Sequence, residues 1–322
     1  MFVLLVSSFT CQAQEVDSVS PNYYEDISQK LLLRLYTLTN LNTFTIVREP
    51  DSYVLAPNGQ TNLGVGFNYK SIGLGISFGL PKSEGSDERY GKTTRFDIQG
   101  SIYSKNFGGD GFIQGYKGYY NANPNDFVDW QSDKFPQIPD MRVFTIGLTA
   151  FYIENGDKFS YRAAYVRNQI QKKSAGSFTF GIFANYDAST TENGYIPVEM
   201  ADSVLATFDL KSFDAISVGA SLGYFYTLVK GKFFLNAGVI PGFGFRRIRL
   251  QDLRDVTEAE NKPAGQVVLR TSMGYEFPGF YLGVQGSVNF RNYRYKDFEF
   301  DLGTEQFRFI VGKRFSVGKQ SD

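Results

Sequence analysis

A run of polar side chains interrupts the middle of the sequence. Its members are Gln169, Gln171, Lys172, Lys173 and Ser174. A serine beside a lysine can act as nucleophile and base, but adjacent residues of a strand point to opposite faces. The chain contains no histidine, which excludes Ser-His-Asp and Cys-His sites and histidine-dependent metal sites. We therefore predict no enzymatic activity. We interpret the run as a structural kink, with a constriction or a partner contact as the functional alternative.

Arginine is the other residue type that could do chemistry, and its placement depends on strands. Residues 93 to 104 read TTRFDIQGSIYS, with Phe96, Ile98 and Ile102 on one parity and Arg95 and Asp97 on the other. This period of two predicts a strand with one apolar and one polar face. A secreted β-sandwich would bury the apolar face in a core. A membrane barrel would turn that face to lipid and the polar face to a lumen.

The same alternation recurs along the chain in roughly twelve spans of about 9 to 14 residues, the length that a tilted strand needs to cross a bilayer. Glycine and serine fill the polar faces, and tyrosines gather near the ends of the apolar stripes, as at Tyr69 and Tyr224. Both features favour lipid over a soluble core. We predict an all-β protein, a transmembrane antiparallel β-barrel of about 12 strands within a range of about 10 to 14.

The sequence also predicts the order of segments along the chain. Residues 1–13, MFVLLVSSFTCQA, resemble a secretory signal peptide, and acylation of Cys11 in a lipoprotein is the alternative. A periplasmic segment would follow at 14–30, the barrel at 31–316 and a tail at 317–322. Long connections are expected at 81–93, 121–140, 188–213, 248–264 and 293–304. Residues 155–187, which contain two short connections in succession, are interpreted as one long bent strand.

Several stretches resemble a known family of bacterial outer-membrane proteins. The stretch ENGDKFSYRAAYVRNQIQKKSAGSF at 154–178 is similar to the central motif of the domain of unknown function 4421 family. YKGYY at 116–120, LGYFYTLV at 222–229 and IPGFG at 240–244 follow in the order of that family. The resemblance implies a Gram-negative outer-membrane β-barrel. It implies no reaction, and no catalytic or ligand residue is carried over from it.

If the apolar stripes face lipid, strand parity places a set of arginines in the lumen, with Asp97 and Glu276 as the clearest inward acids. The predicted lumen-facing arginines are Arg95, Arg162, Arg270, Arg291, Arg308 and Arg314. Such an excess of guanidinium groups favours small anionic solutes. The alternative is that these arginines pair with acids and stiffen the wall.

A second basic group lies where a strand should reach the outer rim. Arg246, Arg247 and Arg249 could bind the phosphates of lipopolysaccharide, with a solvated rim as the alternative. Asp126 and Asp129 match no specific metal motif, so no metal and no cofactor is predicted. The chain has 33 basic and 33 acidic residues, so its overall charge does not point to nucleic acid.

These observations predict an outer-membrane, non-enzymatic barrel with two alternative roles. The first is a narrow, porin-like channel whose arginine-lined lumen passes small anions. The second is a non-conducting structural or surface barrel with a plugged lumen, in contact with lipopolysaccharide or a partner protein. An occluded lumen favours the second role.

Overall fold

Long antiparallel strands dominate the computed structural model, which describes residues 23–59, 61–70, 72–80, 84–200, 210–296 and 298–316. The predicted signal peptide and C-terminal tail lie outside the described residues. The strands are β1 Tyr24–Asp26, β2 Lys30–Arg48, β3 Asp51–Ala56, β4 Thr61–Tyr69, β5 Ile72–Gly79, β6 Thr94–Tyr103, β7 Phe107–Asn121, β8 Gln137–Ile153, β9 Gln169–Gln171, β10 Ala175–Thr190, β11 Leu210–Lys230, β12 Phe233–Asp252, β13 Thr257–Phe277, β14 Phe280–Tyr295 and β15 Phe298–Ser316.

Helical structure in the described ranges is short. Two single-turn helices are present, α1 Ser86–Tyr90 and α2 Tyr161–Tyr165, with 3-10 turns at Pro124–Asp126 and Val198–Met200. None of the described helices has the length and apolar character needed to cross a bilayer.

Twelve strands close into a ring, as the sequence predicts. The order around the ring is β2, β4, β5, β6, β7, β8, β10, β11, β12, β13, β14 and β15, and β15 then pairs with β2 from Glu299↔Val47 to Ser316↔Lys30. Closure leaves no strand edge unpaired, which a bilayer requires. The short β3 pairs with β2 and β7 beside one rim of the ring, and β1 pairs with β9.

The two ends of the barrel differ in their connections. Tight turns follow Lys70, Gly231 and Gly279, which all adopt positive φ, at the same end as the first residue of β2 and the last of β15. We call this the turn end and the opposite rim the loop end. In outer-membrane barrels the short turns face the periplasm.

The apolar residues lie on the outside of the ring. Ile98 and Ile182 expose 60% and 65% of their surface, although both are in the middle of long strands. The alternate residues Asp97 and Gln99 point into the lumen and bond to each other there. Glycines on the inner face of β4 and β5 make room for larger neighbours: a Cβ at Gly75 would lie 2.7 Å from the Tyr36 hydroxyl. The interpretation of the alternating stripes as lipid-facing is confirmed.

Two features of the connections differ from the prediction. The expected long loops at 248–264 and 293–304 are wrong, because β12 and β13 are separated only by residues 253–256 and β14 and β15 only by residues 296–297. The expected single strand over 155–187 is also wrong. Its first half leaves the wall and folds into the barrel as α2 and β9, and the wall resumes at Ala175.

Candidate functional site

Residues 154–174 form a plug inside the turn end of the barrel. Its helix α2 begins at Ser160, whose hydroxyl accepts a hydrogen bond from the Ala163 amide at 2.9 Å, a standard N-cap. β9 follows and pairs with β1, so that Asp26 lies opposite Gln169 and residues of the N-terminal segment become part of the plug assembly.

The plug bonds to inward side chains from well-separated strands. The hydroxyl of Ser272 on β13 donates to the Ala164 carbonyl at 2.7 Å, and Gln285 on β14 donates to the Tyr165 carbonyl at 3.0 Å. Further around the ring, the Lys70 carbonyl after β4 accepts from Arg162 at 2.9 Å. A segment that leaves the wall after β8 and bonds to β13, β14 and the end of β4 must cross the lumen.

An ion-pair cluster fixes the C-terminal half of the plug to the wall. Arg167, only 1% exposed, contacts the Glu276 carboxylate, and its guanidinium carbon lies 3.8 Å from the centre of the Phe234 ring. Arg314 on β15 binds the same carboxylate at 2.8 Å and also donates to the Arg167 carbonyl at 3.3 Å. Both guanidinium groups are thus held by one acid.

The polar run has structural partners at each position. Gln169 donates to Asp26 at 2.7 Å, and Gln171 accepts from the Ser160 amide at 2.9 Å. The remaining contacts are Lys172 with Glu25 at 2.7 Å, Lys173 over the Tyr23 ring, and Ser174 accepting from the Val229 amide. These contacts favour the interpretation of the run as a structural turn. The Ser174 hydroxyl and the Lys172 ammonium are engaged with different partners.

Above the plug, side chains bridge the middle of the lumen. Arg270 on β13 reaches Asp110 on β7 at 2.8 Å and donates to the Tyr161 hydroxyl of the plug at 2.6 Å. Arg308 on β15 reaches the side-chain oxygen of Gln99 on β6. In the ring order, β7 and β13 are five strands apart and β6 and β15 are four strands apart. These contacts therefore join nearly opposite walls.

A second bridge lies closer to the loop end. Arg291 on β14 pairs with Asp187 on β10 at 3.0 Å, and both side chains are almost fully buried. Tyr293 donates to the same carboxylate, and Arg246 stacks on the Tyr293 ring at 4.3 Å. The prediction that Arg246 contacts lipopolysaccharide is contradicted, because strand parity turns its side chain into the lumen, where it is 5% exposed.

An apolar cluster fills the lumen at the loop end. The ring of Phe213 on β11 lies 6.0 Å from Phe44 on β2 and 4.8 Å from Phe300 on β15, so aromatic rings meet from opposite walls. Tyr195, from the connection after β10, joins them at 5.4 Å from Phe44. We call this cluster the apolar cap; its other members include Ile46, Tyr53, Met141, Ile248 and Tyr293.

Between the plug and the apolar cap lies a polar chamber of about 200 Å³. Tyr165 and Val166 of the plug form part of its lining. Its charged lining residues are Arg34, Arg270, Arg308, Asp97 and Asp110, and most of the others are amides, hydroxyls and glycines. Asp97 accepts hydrogen bonds from Asn40, Gln99 and Gln114 at 2.7 to 3.0 Å.

The remaining predicted residues lie in different settings. Arg162 is inside the barrel, but it belongs to α2 and not to the wall as predicted. Its guanidinium lies 3.7 Å from the Asp26 carboxylate. Arg95 reaches the carbonyls of Gly59 and Thr61 near the loop end. Arg247 and Arg249 are exposed on the outer face of β12, and Arg249 pairs with Asp214 at 2.8 Å. In the described part of the chain, acidic and cysteine side chains form no group of three or more suited to a metal ion.

Two important arginines were missed at the level of sequence. Arg34 lies in LLLRLYTL, where leucines occupy both parities and hide the alternation, although exposed Leu33 and Leu35 do place Arg34 on the inner face. Arg167 lies in a segment without periodicity, and its φ of 66° breaks any regular pattern. In the sequence, only the position of Arg167 within the motif at 154–178 distinguishes it from other arginines.

The family model described as Domain of unknown function (DUF4421) matches residues 15–315. The chain belongs to this family. It is an outer-membrane β-barrel protein, as its closed ring of lipid-facing strands indicates. No curated protein matches the chain.

Solved outer-membrane proteins are weakly similar to the chain, at very low sequence identity. The outer membrane protease OmpT from Escherichia coli has 9% identity and a TM-score of 0.39, with 92% of this chain and 100% of that chain covered. The toluene transporter TodX from Pseudomonas putida has 7% identity and a TM-score of 0.27, with 92% and 90% covered. This likeness concerns the fold alone.

Proposed function

We propose that this protein is a plugged, non-conducting barrel at rest, with a structural or surface role in the outer membrane. The observation that carries the proposal is the plug, which leaves the wall after β8 and bonds across the lumen to Ser272 on β13, Gln285 on β14 and the Lys70 carbonyl after β4. The Arg270–Asp110 bridge, the Arg291–Asp187 bridge and the apolar cap cross the lumen at three further levels. An open anion channel needs a continuous wet path, which the plug and the apolar cap cross, and Arg270, Arg291 and Arg314 are each paired with a carboxylate.

The outer face of β12 supports a surface role. Phe243 and Phe245 are 74% and 76% exposed, and the guanidinium groups of Arg247 and Arg249 follow them on the same face toward the loop end. Exposed aromatic rings suit the membrane interface, and guanidinium groups suit phosphate. Lipopolysaccharide phosphates are the proposed contact of Arg247, with Arg249 shared with Asp214. Since the chain has no histidine, we propose a role without catalysis.

Single-channel recording in planar bilayers tests closure. The natural protein should show no open steps in potassium chloride solution. A variant with residues 158–172 replaced by a glycine-serine linker, and with Phe44, Phe213 and Phe300 changed to alanine, should conduct. Heat-modifiable migration on a gel checks that this variant still folds. Regular steps from the natural protein would overturn the proposal, whereas silence of the folded variant would assign closure to the Arg270–Asp110 and Arg291–Asp187 bridges that remain.

A further inference from the structure

We infer that the chamber between the plug and the apolar cap is a binding site for a small hydroxylated organic anion with one carboxylate. This inference rests on the proposed closure of the barrel, because the plug lines one end of the chamber and the apolar cap fills the lumen beyond its other end. Ionisable groups inside a membrane-spanning structure are costly and usually functional. The chamber holds an excess of them that the protein itself does not neutralise.

Arg34 is the first group without a counter-ion. It makes no hydrogen bond and no ion pair with any residue that the structure describes, and its Nε is buried without an acceptor. The neighbouring strand β4 leaves it space, because Gly66 pairs with Arg34 and a Cβ there would lie 3.3 Å from its Nη2. A guanidinium enclosed without an acceptor loses the hydration that it has in water, and a bound anion would restore its hydrogen bonds.

Arg308 is the second such group. The described acceptors of its guanidinium are the amide oxygens of Gln99 and Gln306, neither of which carries charge. It lies over the Tyr36 ring at 5.7 Å, and Tyr36 is two residues from Arg34 on the same face of β2. The two guanidinium groups therefore flank one tyrosine, where the nearby charge of Asp97 offsets only part of the repulsion that Arg308 feels from Arg34 and Arg270. An anion between them would relieve that repulsion.

The charge and the lining define the ligand class. Three guanidinium groups and two carboxylates line the chamber, which leaves one uncompensated positive charge and favours a monoanion. Arginine binds a carboxylate in a bidentate fashion. Amides and hydroxyls such as Asn68, Gln285 and Ser287 can bond to the hydroxyls of such a ligand. A water molecule needs about 10 to 15 Å³ of cavity volume measured in the same way. The chamber of 200 Å³ therefore holds roughly a dozen or more non-hydrogen atoms.

Retention of labelled D-gluconate tests this inference, with D-sorbitol as its uncharged counterpart. The protein is refolded into phospholipid vesicles with either radiolabelled compound and then desalted. We expect gluconate to be retained at close to one molecule per barrel and sorbitol not to be. Arg34→Gln and Arg308→Gln should each lower retention by roughly tenfold. Arg95→Gln, which removes a guanidinium outside the chamber, should leave retention unchanged.

The outcomes separate the site from the closure. Equal retention of sorbitol, or gluconate retention that survives the Arg34→Gln, Arg308→Gln double variant, would overturn the site. Absence of gluconate binding to a natural protein that is silent in planar bilayers would also overturn it, while closure stands. Saturable, arginine-dependent binding in equilibrium dialysis, combined with immediate loss on desalting, would support the site and contradict closure. Inorganic phosphate that displaces gluconate at equal concentration would contradict the assignment to a carboxylate.

Discussion

At the scale of single residues, Arg167 ties the plug to the barrel wall. Its charge is buried against Glu276 and stacked on Phe234. Replacing Arg167 with methionine keeps the volume but leaves Glu276 with Arg314 as its one remaining ion-pair partner in the described chain. We expect a loss of about 2–4 kcal/mol in the free energy that holds the plug in place, since the charge-assisted contact with Glu276 and the cation–π contact with Phe234 are both lost. Hydrogen exchange of the Ala163 and Val166 amides measures this loss.

A matched exposed pair provides the control for Arg167→Met. Arg294 binds Glu299 at 2.7 Å, but its side chain is 74% exposed. Arg294→Met should therefore change the same exchange rates by less than about 1 kcal/mol. If both substitutions altered plug exchange equally, Arg167 would not be a specific tie. Unchanged exchange in Arg167→Met would show that Ser272 and Gln285 hold the plug alone.

The sequence predicts the direction of the lumen side chains better than their partners. Arg270, Arg291, Arg308 and Arg314 point inward as parity requires, because alternation fixes the face of each residue once its neighbours face lipid. Their pairing depends on contacts across the ring, such as Arg291 on β14 with Asp187 on β10. Arg270 and Asp110 are 160 residues apart in the chain, Arg291 and Asp187 are 104 apart, and Arg308 and Gln99 are 209 apart, so no local pattern reveals these pairs.

At the scale of elements, the pairing of β1 with β9 should depend on pH. Burial raises the pKa of Asp26, but hydrogen bonds from Ser28 and Gln169 and the nearby charge of Arg162 outweigh it, so the pKa lies below its ordinary value. A carboxylate with a lowered pKa stabilises the folded state above its ordinary pKa, and this contribution is lost as the pH falls below about 4. Because Asp26 is half exposed, the effect should stay below about 1 kcal/mol.

Proteolysis of the N-terminal segment measures this pH dependence. The rate of pepsin cleavage within residues 23–29 is divided by the cleavage rate of a peptide standard, which corrects for the pH dependence of pepsin itself. This corrected rate should be higher at pH 3 than at pH 5. In Asp26→Asn the corrected difference should vanish, because the carboxylate that titrates is gone. A pH dependence that persisted in Asp26→Asn would show that Asp26 is not the group responsible.

The strands were predictable and the plug was not, for one physical reason. Lipid imposes an apolar residue at every second position of the wall, which leaves a pattern over 94–103 and 178–182. Residues 154–174 bond inside a polar lumen and carry no such constraint. The same reasoning explains the wrong loops: beyond the lipid belt, β12 and β13 continue with outward residues such as Arg249 and Asn261, so the stripe ends before the hydrogen-bonded ladder does.

At the scale of the whole molecule, the barrel wall contacts lipid on its outer face and a filled lumen on its inner face. Its lumen is crossed at four levels, by the plug, by Arg270 with Asp110, by Arg291 with Asp187, and by the apolar cap. Cross-lumen contacts of this kind join strands that are distant around the ring. We expect the interior and the wall to unfold together, which coincident transitions by Trp130 fluorescence and by circular dichroism would show.

The outward stripes set the energetic cost of a charge on the wall. Ile182 is near the middle of β10 and faces outward between Ala150 and Ala220. Ile182→Arg should destabilise the barrel in phospholipid vesicles by about 2–4 kcal/mol, whereas Val256→Arg, in the tight turn at the loop end, should cost about 0–1 kcal/mol. Urea titrations followed by Trp130 fluorescence measure both. Equal costs at the two positions would mean that Ile182 does not face the hydrocarbon layer, because depth in the bilayer is the main difference between the two sites.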